Sequence, residues 1–70
     1  VGGEIMEILA TFDSRIKAIQ FREKMAGETH ARFDAGLDAF VYERDGQTRA
    51  IKIERVGDEG RPRWQVIIMS

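Results

Sequence analysis

The chain has no cysteine and only one histidine among its 70 residues. Without cysteine there are no disulfides, thiolate metal sites, thiol redox motifs or cysteine nucleophiles, and we expect a reducing, cytoplasmic location. His30 has neither the cysteines nor the spaced carboxylates of a metal site, and no placeable partner for a catalytic triad. The carboxylates fall at ends and turns, where acid–base catalysis is disfavoured. We therefore expect a non-enzymatic protein with no metal and no cofactor.

Neither sign of charge is in excess, since eleven basic residues face twelve acidic ones and the net charge is −1. Such a balance creates no net electrostatic field that would attract nucleic acid or an anionic membrane. No apolar run approaches the roughly 18 residues of a membrane-spanning helix, so we expect no membrane partner. The length predicts one domain over residues 1–70 with a thin core, preceded by a flexible lead-in at residues 1–3.

The strongest structural signal is Asp45-Gly46, which stands between two alternating hydrophobic segments. Asp-Gly favours a two-residue type I′ turn, and such a turn sets the register of a β-hairpin. The predicted opposed pairs are Arg44 with Gln47, Glu43 with Thr48, Tyr42 with Arg49, Val41 with Ala50, and Phe40 with Ile51. The first face then carries Phe40, Tyr42, Ile51 and Ile53. The second carries Ala39, Val41 and Ala50 beside Glu43, Lys52 and Glu54.

Residues 4–12 fit a strand and a helix equally well by periodicity. Asp13-Ser14 favours a strand that ends at Phe12 and a helix that begins at Ser14, because both residues cap helix N-termini. The helix is expected to end near Ala26, with Gly27 as its C-terminal cap. Its predicted inner face is Ile16, Ala18, Ile19, Phe21, Met25 and Ala26. Arg22 lies within that arc, and we expect its stem along the core edge with its head in water.

Thr29, Ala31 and Phe33 alternate with polar residues and favour a short strand, followed by a bend or bulge at residues 34–36. The alternative is a helix that continues past Gly27, at a cost of roughly 1 kcal/mol. Residues 57–62 are predicted as a loop, and residues 63–69 as a final strand that is apolar on both faces. The resulting fold is α+β, with a three- to four-stranded antiparallel sheet, one helix on one face and the order β-α-β-β-β. A single helix covers only one face of the sheet.

Two short segments resemble parts of known folds. Asp38 with the Ala50-Ile51-Lys52 run is similar to the hairpin of the PD-(D/E)xK nuclease core, but Ala50 stands where a metal-binding carboxylate is required. Residues 8–18 resemble the opening strand and helix of small ferredoxin-like and SPOR-like modules. Those modules carry a second helix, which is not predicted between Gly36 and Pro62. Neither resemblance implies a function for this chain.

The uncovered face and the doubly apolar last strand predict an interaction protein that self-associates through the face or an edge strand. A homodimer is the simplest partner, and another protein is the alternative. The predicted interface comprises Val41, Ala50, Lys52, Trp64, Val66, Ile67 and Met69. A second hypothesis is a nucleic-acid-binding module, because cations and a stacking ring adjoin the last loop. Its predicted contacts are Arg61, Arg63 and Trp64.

Overall fold

A single helix lies on one face of a five-stranded antiparallel sheet in the computed structural model, which describes residues 6–70. The elements are β1 (Met6–Phe12), α1 (Arg15–Thr29), β2 (Arg32–Asp34), β3 (Ala39–Arg44), β4 (Gln47–Asp58) and β5 (Arg61–Met69). The spatial order is β1-β5-β4-β3-β2. The predicted α+β class is confirmed, with five strands rather than three to four. The predicted lead-in and the first two residues of the 4–12 segment lie outside the described residues.

The β3–β4 hairpin has the predicted register, with all five expected pairs from Arg44–Gln47 to Phe40–Ile51. Asp45 and Gly46 have φ values of 53° and 75°. Positive φ at both central positions is the requirement of a type I′ turn, whose twist matches that of the strands it joins. The turn chemistry therefore determines which hairpin side chains face the helix.

The strand-then-helix interpretation of the first segment is also confirmed. β1 ends at Phe12, and Ser14 caps α1 in an extended conformation, its hydroxyl accepting the Lys17 N–H at 3.5 Å. A capped N-terminus satisfies a backbone donor that the helix leaves without an internal partner. The cap fixes the point at which the chain leaves the sheet and turns back across it.

The C-terminus of α1 differs from the prediction, because the helix passes through Gly27 and ends at Thr29. His30 adopts a left-handed conformation with φ of 57°, and the Ala31 N–H donates to the Ala26 carbonyl at 2.9 Å. The Thr29 hydroxyl donates to the Met25 carbonyl at 2.9 Å, and Ala31 packs against the core. These interactions offset the roughly 1 kcal/mol that a glycine costs inside a helix.

The helix covers the sheet with a narrower stripe than predicted. Ala18 and Ala26 are buried, and Phe21 and Met25 pack against the core cluster, whereas Ile16 is 68% exposed. At about 100° per residue, Ile16 lies roughly 160° around the helix from Ala18. The prediction that Ile16 lies on the inner face of the helix is therefore wrong.

The predicted loop at residues 57–62 is largely strand. β4 continues to Asp58 and β5 begins at Arg61, so that Gly57 pairs with Pro62 and only two residues form the turn. Gly57 has φ of 87°, a conformation that L side chains rarely adopt. Glycine and proline signal loops in a sequence, but here they occupy opposed positions in a long hairpin.

A short strand and a turn precede the hairpin, but both lie later in the chain than predicted: Thr29 belongs to α1, β2 spans Arg32–Asp34, and the turn follows at residues 35–38. β2 pairs with β3 over three residues, and the Asp34 carboxylate accepts the Leu37 N–H at 3.2 Å. This side chain-to-backbone hydrogen bond is typical of aspartate in turns. It holds Leu37 at the rim of the sheet.

Candidate interaction face

The strand register divides the sheet into two faces with different surroundings. The side chains on the face that carries α1 include Phe40, Tyr42, Ile51, Ile53, Trp64, Val66 and Ile68. The opposite face, here called the open face, carries Ile8, Val41, Ala50, Lys52, Ile67 and Met69. No described helix packs on the open face, since α1 is the one helix of residues 6–70.

A shallow apolar groove of about 350 Å³ lies on the open face. It is lined by Leu37, Val41, Thr48, Arg49, Ala50, Lys52, Met69 and Ser70. Val41 and Ala50 are opposed across the hairpin, and Met69 pairs with Ala50 from the next strand. Lys52 is partly buried and borders the groove with its aliphatic stem. The groove therefore offers an apolar floor bordered by two cations, Lys52 and Arg49.

Large apolar side chains are exposed around this groove. Leu37 is 52% exposed at its rim, and Met6 and Ile8 of β1 are 59% and 51% exposed. Met6 pairs with Met69, and Ile8 pairs with Ile67, so both β1 side chains extend the same apolar surface. Antiparallel sheets that face water present polar residues on the solvated side. The open face differs from that pattern, because the residues at its centre are apolar.

The charges around the open face are balanced. By register it carries four basic and four acidic residues: Arg32, Lys52, Arg61 and Arg63, with Asp34, Glu43, Glu54 and Asp58. A face with no net charge does not attract a polyanion, and it does not repel a copy of itself. The net charge of the face therefore does not oppose its association with a second copy.

The predicted interface residues separate into two groups. Val41, Ala50, Lys52 and Met69 come together in the groove, and Ile67 shares their face but is fully buried. Trp64 and Val66 lie instead on the helix-covered face, with Val66 fully buried in the core. Four of the eight groove residues were not predicted: Leu37, Thr48, Arg49 and Ser70. Leu37 is the large apolar one among them, and its signal is a large apolar side chain within a turn.

Edge-to-edge pairing through the last strand is ruled out by the sheet order. β5 lies between β1 and β4 and pairs with both, so its apolar faces reflect a central position. Among the described strands, the free edges belong to β1 and β2. β2 is only three residues long, and the β1 register shifts between Ile8 and Ala10. Short strands and bulges both disfavour edge pairing.

The predicted nucleic-acid trio is also divided by the register. Arg61 and Arg63 belong to the open face, whereas Trp64 pairs with Arg55 on the helix side. There Trp64 lines a separate polar cleft of about 170 Å³ together with Arg15, Arg22, Asp38, Ile53 and Arg55. Arg15 and Arg55 were not among the predicted site residues. Arg15 lies at the start of α1 and Arg55 on β4, and no local sequence pattern indicates that the two are close in the fold.

Arg22 does not place its head in water as predicted. Its side chain is only 11% exposed, and Nη1 donates to the Asp38 carbonyl at 3.3 Å and lies 3.8 Å from the Asp38 carboxylate. The guanidinium carbon is 5.8 Å from the Phe33 ring centre and 5.3 Å from that of Phe40. Arginine favours such stacking because its planar cation is weakly hydrated. Arg22 thereby connects α1 to the turn before β3.

No group of three or more His, Cys, Asp or Glu residues that could hold a metal ion occurs within residues 6–70. His30 lies at the end of α1, where its backbone forms the helix cap. None of the helices in the described part of the chain is long and apolar enough to cross a membrane. The features that stand out are therefore the apolar open face and the arginine-lined cleft on the opposite side.

Comparison with known proteins adds no relative to these observations. The chain matches no protein-family model, no curated protein and no solved structure. We therefore infer the function of this chain from its own residues and from the geometry of its two sheet faces.

Proposed function

We propose that this protein is a non-enzymatic interaction module that forms a two-fold homodimer by stacking its open face on that of a second copy. The observation that carries the proposal is the groove of Leu37, Val41, Ala50 and Met69, which leaves apolar surface in water. A two-fold axis brings the same patch of both subunits together, so one apolar surface covers the other.

The size of the open face bounds the area that a dimer would bury. Four interstrand spacings of about 4.8 Å and about seven residues at 3.4 Å give a face of roughly 450 Å². Two stacked faces would bury on the order of 1,000 Å² in total, at the low end of specific interfaces. Sheets pack in this way about 10 Å apart with interdigitated side chains. We therefore propose a weak, concentration-dependent dimer.

The balanced charge of the open face supports a second copy over a nucleic acid as its occupant. Four cations and four anions surround the apolar centre, so a copy meets no net repulsion. In the alternative hypothesis, nucleic acid binds through cations that contact its phosphates, and nearby carboxylates would repel those phosphates. Arg61 and Asp58 are opposed in the β4–β5 register, and Glu59 lies in the turn next to them. This arrangement lends the alternative less support.

The proposal is tested by sedimentation velocity over about 10 µM to 1 mM, a range suited to an interface at the low end of specific sizes. The expected result is a shift from the chain mass to twice that mass with rising concentration. Because apolar contacts are insensitive to screening, added NaCl is expected to leave the dimer intact. Leu37→Glu is expected to weaken dimerisation at least about tenfold, a loss of about 1.4 kcal/mol.

Ile16→Glu is the matched control, since Ile16 is also a large exposed apolar residue but lies on the outer side of α1. It introduces the same charge and is expected to leave the dimerisation constant unchanged. A protein that stays monomeric throughout the concentration range would contradict the proposal. Equal weakening by both substitutions would show that the open face is not the interface.

A further inference from the structure

The cleft on the helix side of the sheet collects positive charge that the fold does not neutralise. Arg15, Arg22 and Arg55 line it together with a single carboxylate, that of Asp38, so the lining has a net charge of +2. Asp38 already pairs with Arg22 at 3.8 Å. Within residues 6–70, neither Arg15 nor Arg55 forms an ion pair or a side-chain hydrogen bond. Two guanidinium groups in the cleft therefore remain available to a ligand.

Arg22 lines the cleft with a side chain that is largely buried and only 11% exposed. Its Nε is inaccessible, so a ligand in the cleft does not reach that atom. Arg22 instead holds Asp38 at the wall of the cleft, where Nη1 lies 3.8 Å from the carboxylate. The accessible guanidinium groups are therefore those of Arg15 and Arg55, which are both exposed.

Arg15 occupies a position that is unfavourable for the helix itself. It is the first residue of α1, and the first turn contains no acidic residue. The partial positive charge of a helix N-terminus disfavours a nearby cation, by about 0.3–1 kcal/mol. Departures from local preference are expected at functional sites, where another interaction compensates for them. An anion beside Arg15 would provide that compensation.

We infer that this cleft binds a small dianion, specifically the phosphate group of a phosphate monoester. Arginine forks match the oxygen geometry of phosphate and hold it through paired charge-assisted hydrogen bonds. A dianion matches the net lining charge of +2, whereas a single carboxylate matches only half of it. The cleft volume of about 170 Å³ is below the roughly 300–1,000 Å³ of pockets that enclose whole drug-sized ligands. The phosphate enters the cleft, and the remainder of the ligand extends into solvent.

The site is separate from the proposed dimer interface, because Trp64 and Arg55 lie on the helix side of the sheet. The two proposals therefore fail independently. Titration followed by nuclear magnetic resonance is the suitable test, with the Trp64 indole N–H and the Arg22 Nε–H as reporters. The probes are inorganic phosphate, adenosine monophosphate and a single-stranded oligothymidine, each at constant ionic strength.

The expected result is saturable shifts of both reporters with phosphate and adenosine monophosphate, with Kd on the order of 1 mM, which corresponds to about −4 kcal/mol. The Arg15→Gln/Arg55→Gln double variant is expected to bind at least tenfold more weakly. Both residues are exposed, so the variant is expected to fold normally. Lys24→Gln/Arg44→Gln removes the same charge from exposed residues that line neither the cleft nor the open face, and should change Kd by less than about twofold, because exposed distant charges are screened.

Three outcomes would overturn the inference. The first is the absence of saturable shifts at the two reporters. The second is equal weakening in the two double variants, which would indicate a general charge effect. The third is at least tenfold tighter binding of the oligothymidine than of adenosine monophosphate with a steep salt dependence, which would identify nucleic-acid phosphodiesters as the ligand.

Discussion

Ile51→Ala is expected to lower the free energy of unfolding by about 2–5 kcal/mol, the usual range for truncation of a large core side chain. Ile51 is fully buried on β4, opposite Phe40 on one side and Ile68 on the other. A domain of this length is held by roughly 4–10 kcal/mol in total, so the loss approaches complete unfolding. Urea denaturation followed by circular dichroism at 222 nm, a backbone signal of α1 (Arg15–Thr29), measures the change.

Ile16→Ala provides the matched control, since it removes the same atoms from a side chain that is 68% exposed. It is expected to change the free energy of unfolding by no more than about 0.5 kcal/mol. If the two substitutions were equally destabilising, the placement of the core between α1 and the centre of the sheet would be incorrect.

Gly57→Ala is expected to destabilise the protein by about 2–3 kcal/mol, through backbone strain and a steric clash. Gly57 has φ of 87°, and a Cβ atom at this position would lie 2.8 Å from the Arg61 carbonyl oxygen. That oxygen belongs to the backbone of the neighbouring strand, so relief requires the β4–β5 hairpin to shift. Thermal unfolding together with urea denaturation measures the effect.

Gly27→Ala is the contrasting substitution, because it is expected to stabilise the protein by about 0.5–1 kcal/mol. Gly27 lies inside α1, and a Cβ atom there would meet nothing within 4 Å. Opposite signs at the two glycines would support both the extended helix and the extended hairpin. Destabilisation at Gly27 would indicate that the helix ends there, as its sequence alone suggests.

The parts of the fold that could be predicted are those fixed by local chemistry. Asp45-Gly46 determines a turn, and the turn determines the register of Phe40, Val41 and Tyr42 against β4. Ser14 likewise marks the start of α1. In each case a few adjacent residues impose the backbone conformation, so no tertiary information is needed.

The features that were missed depend on tertiary contacts. Gly27 predicts a helix end, but the interactions of Thr29 and Ala31 carry α1 one turn further. Gly57 and Pro62 predict a loop, but pairing across the hairpin keeps them in strands. The candidate sites likewise divide into a part that local sequence determines and a part that tertiary contacts determine. The hairpin half of the open face, Val41, Ala50 and Lys52, follows from alternation, whereas the neighbours of Trp64 follow from the way that α1 crosses the sheet.

The central claim is that the open face is covered by a second copy of the chain. Its most direct test is an isotope-filtered nuclear Overhauser measurement on an equimolar mixture of labelled and unlabelled protein, at a concentration where sedimentation detects the dimer. We predict intermolecular contacts among the methyl groups of Leu37, Val41 and Met69, which line the groove. Intermolecular contacts confined to α1, or none at all from these three residues, would contradict the claim.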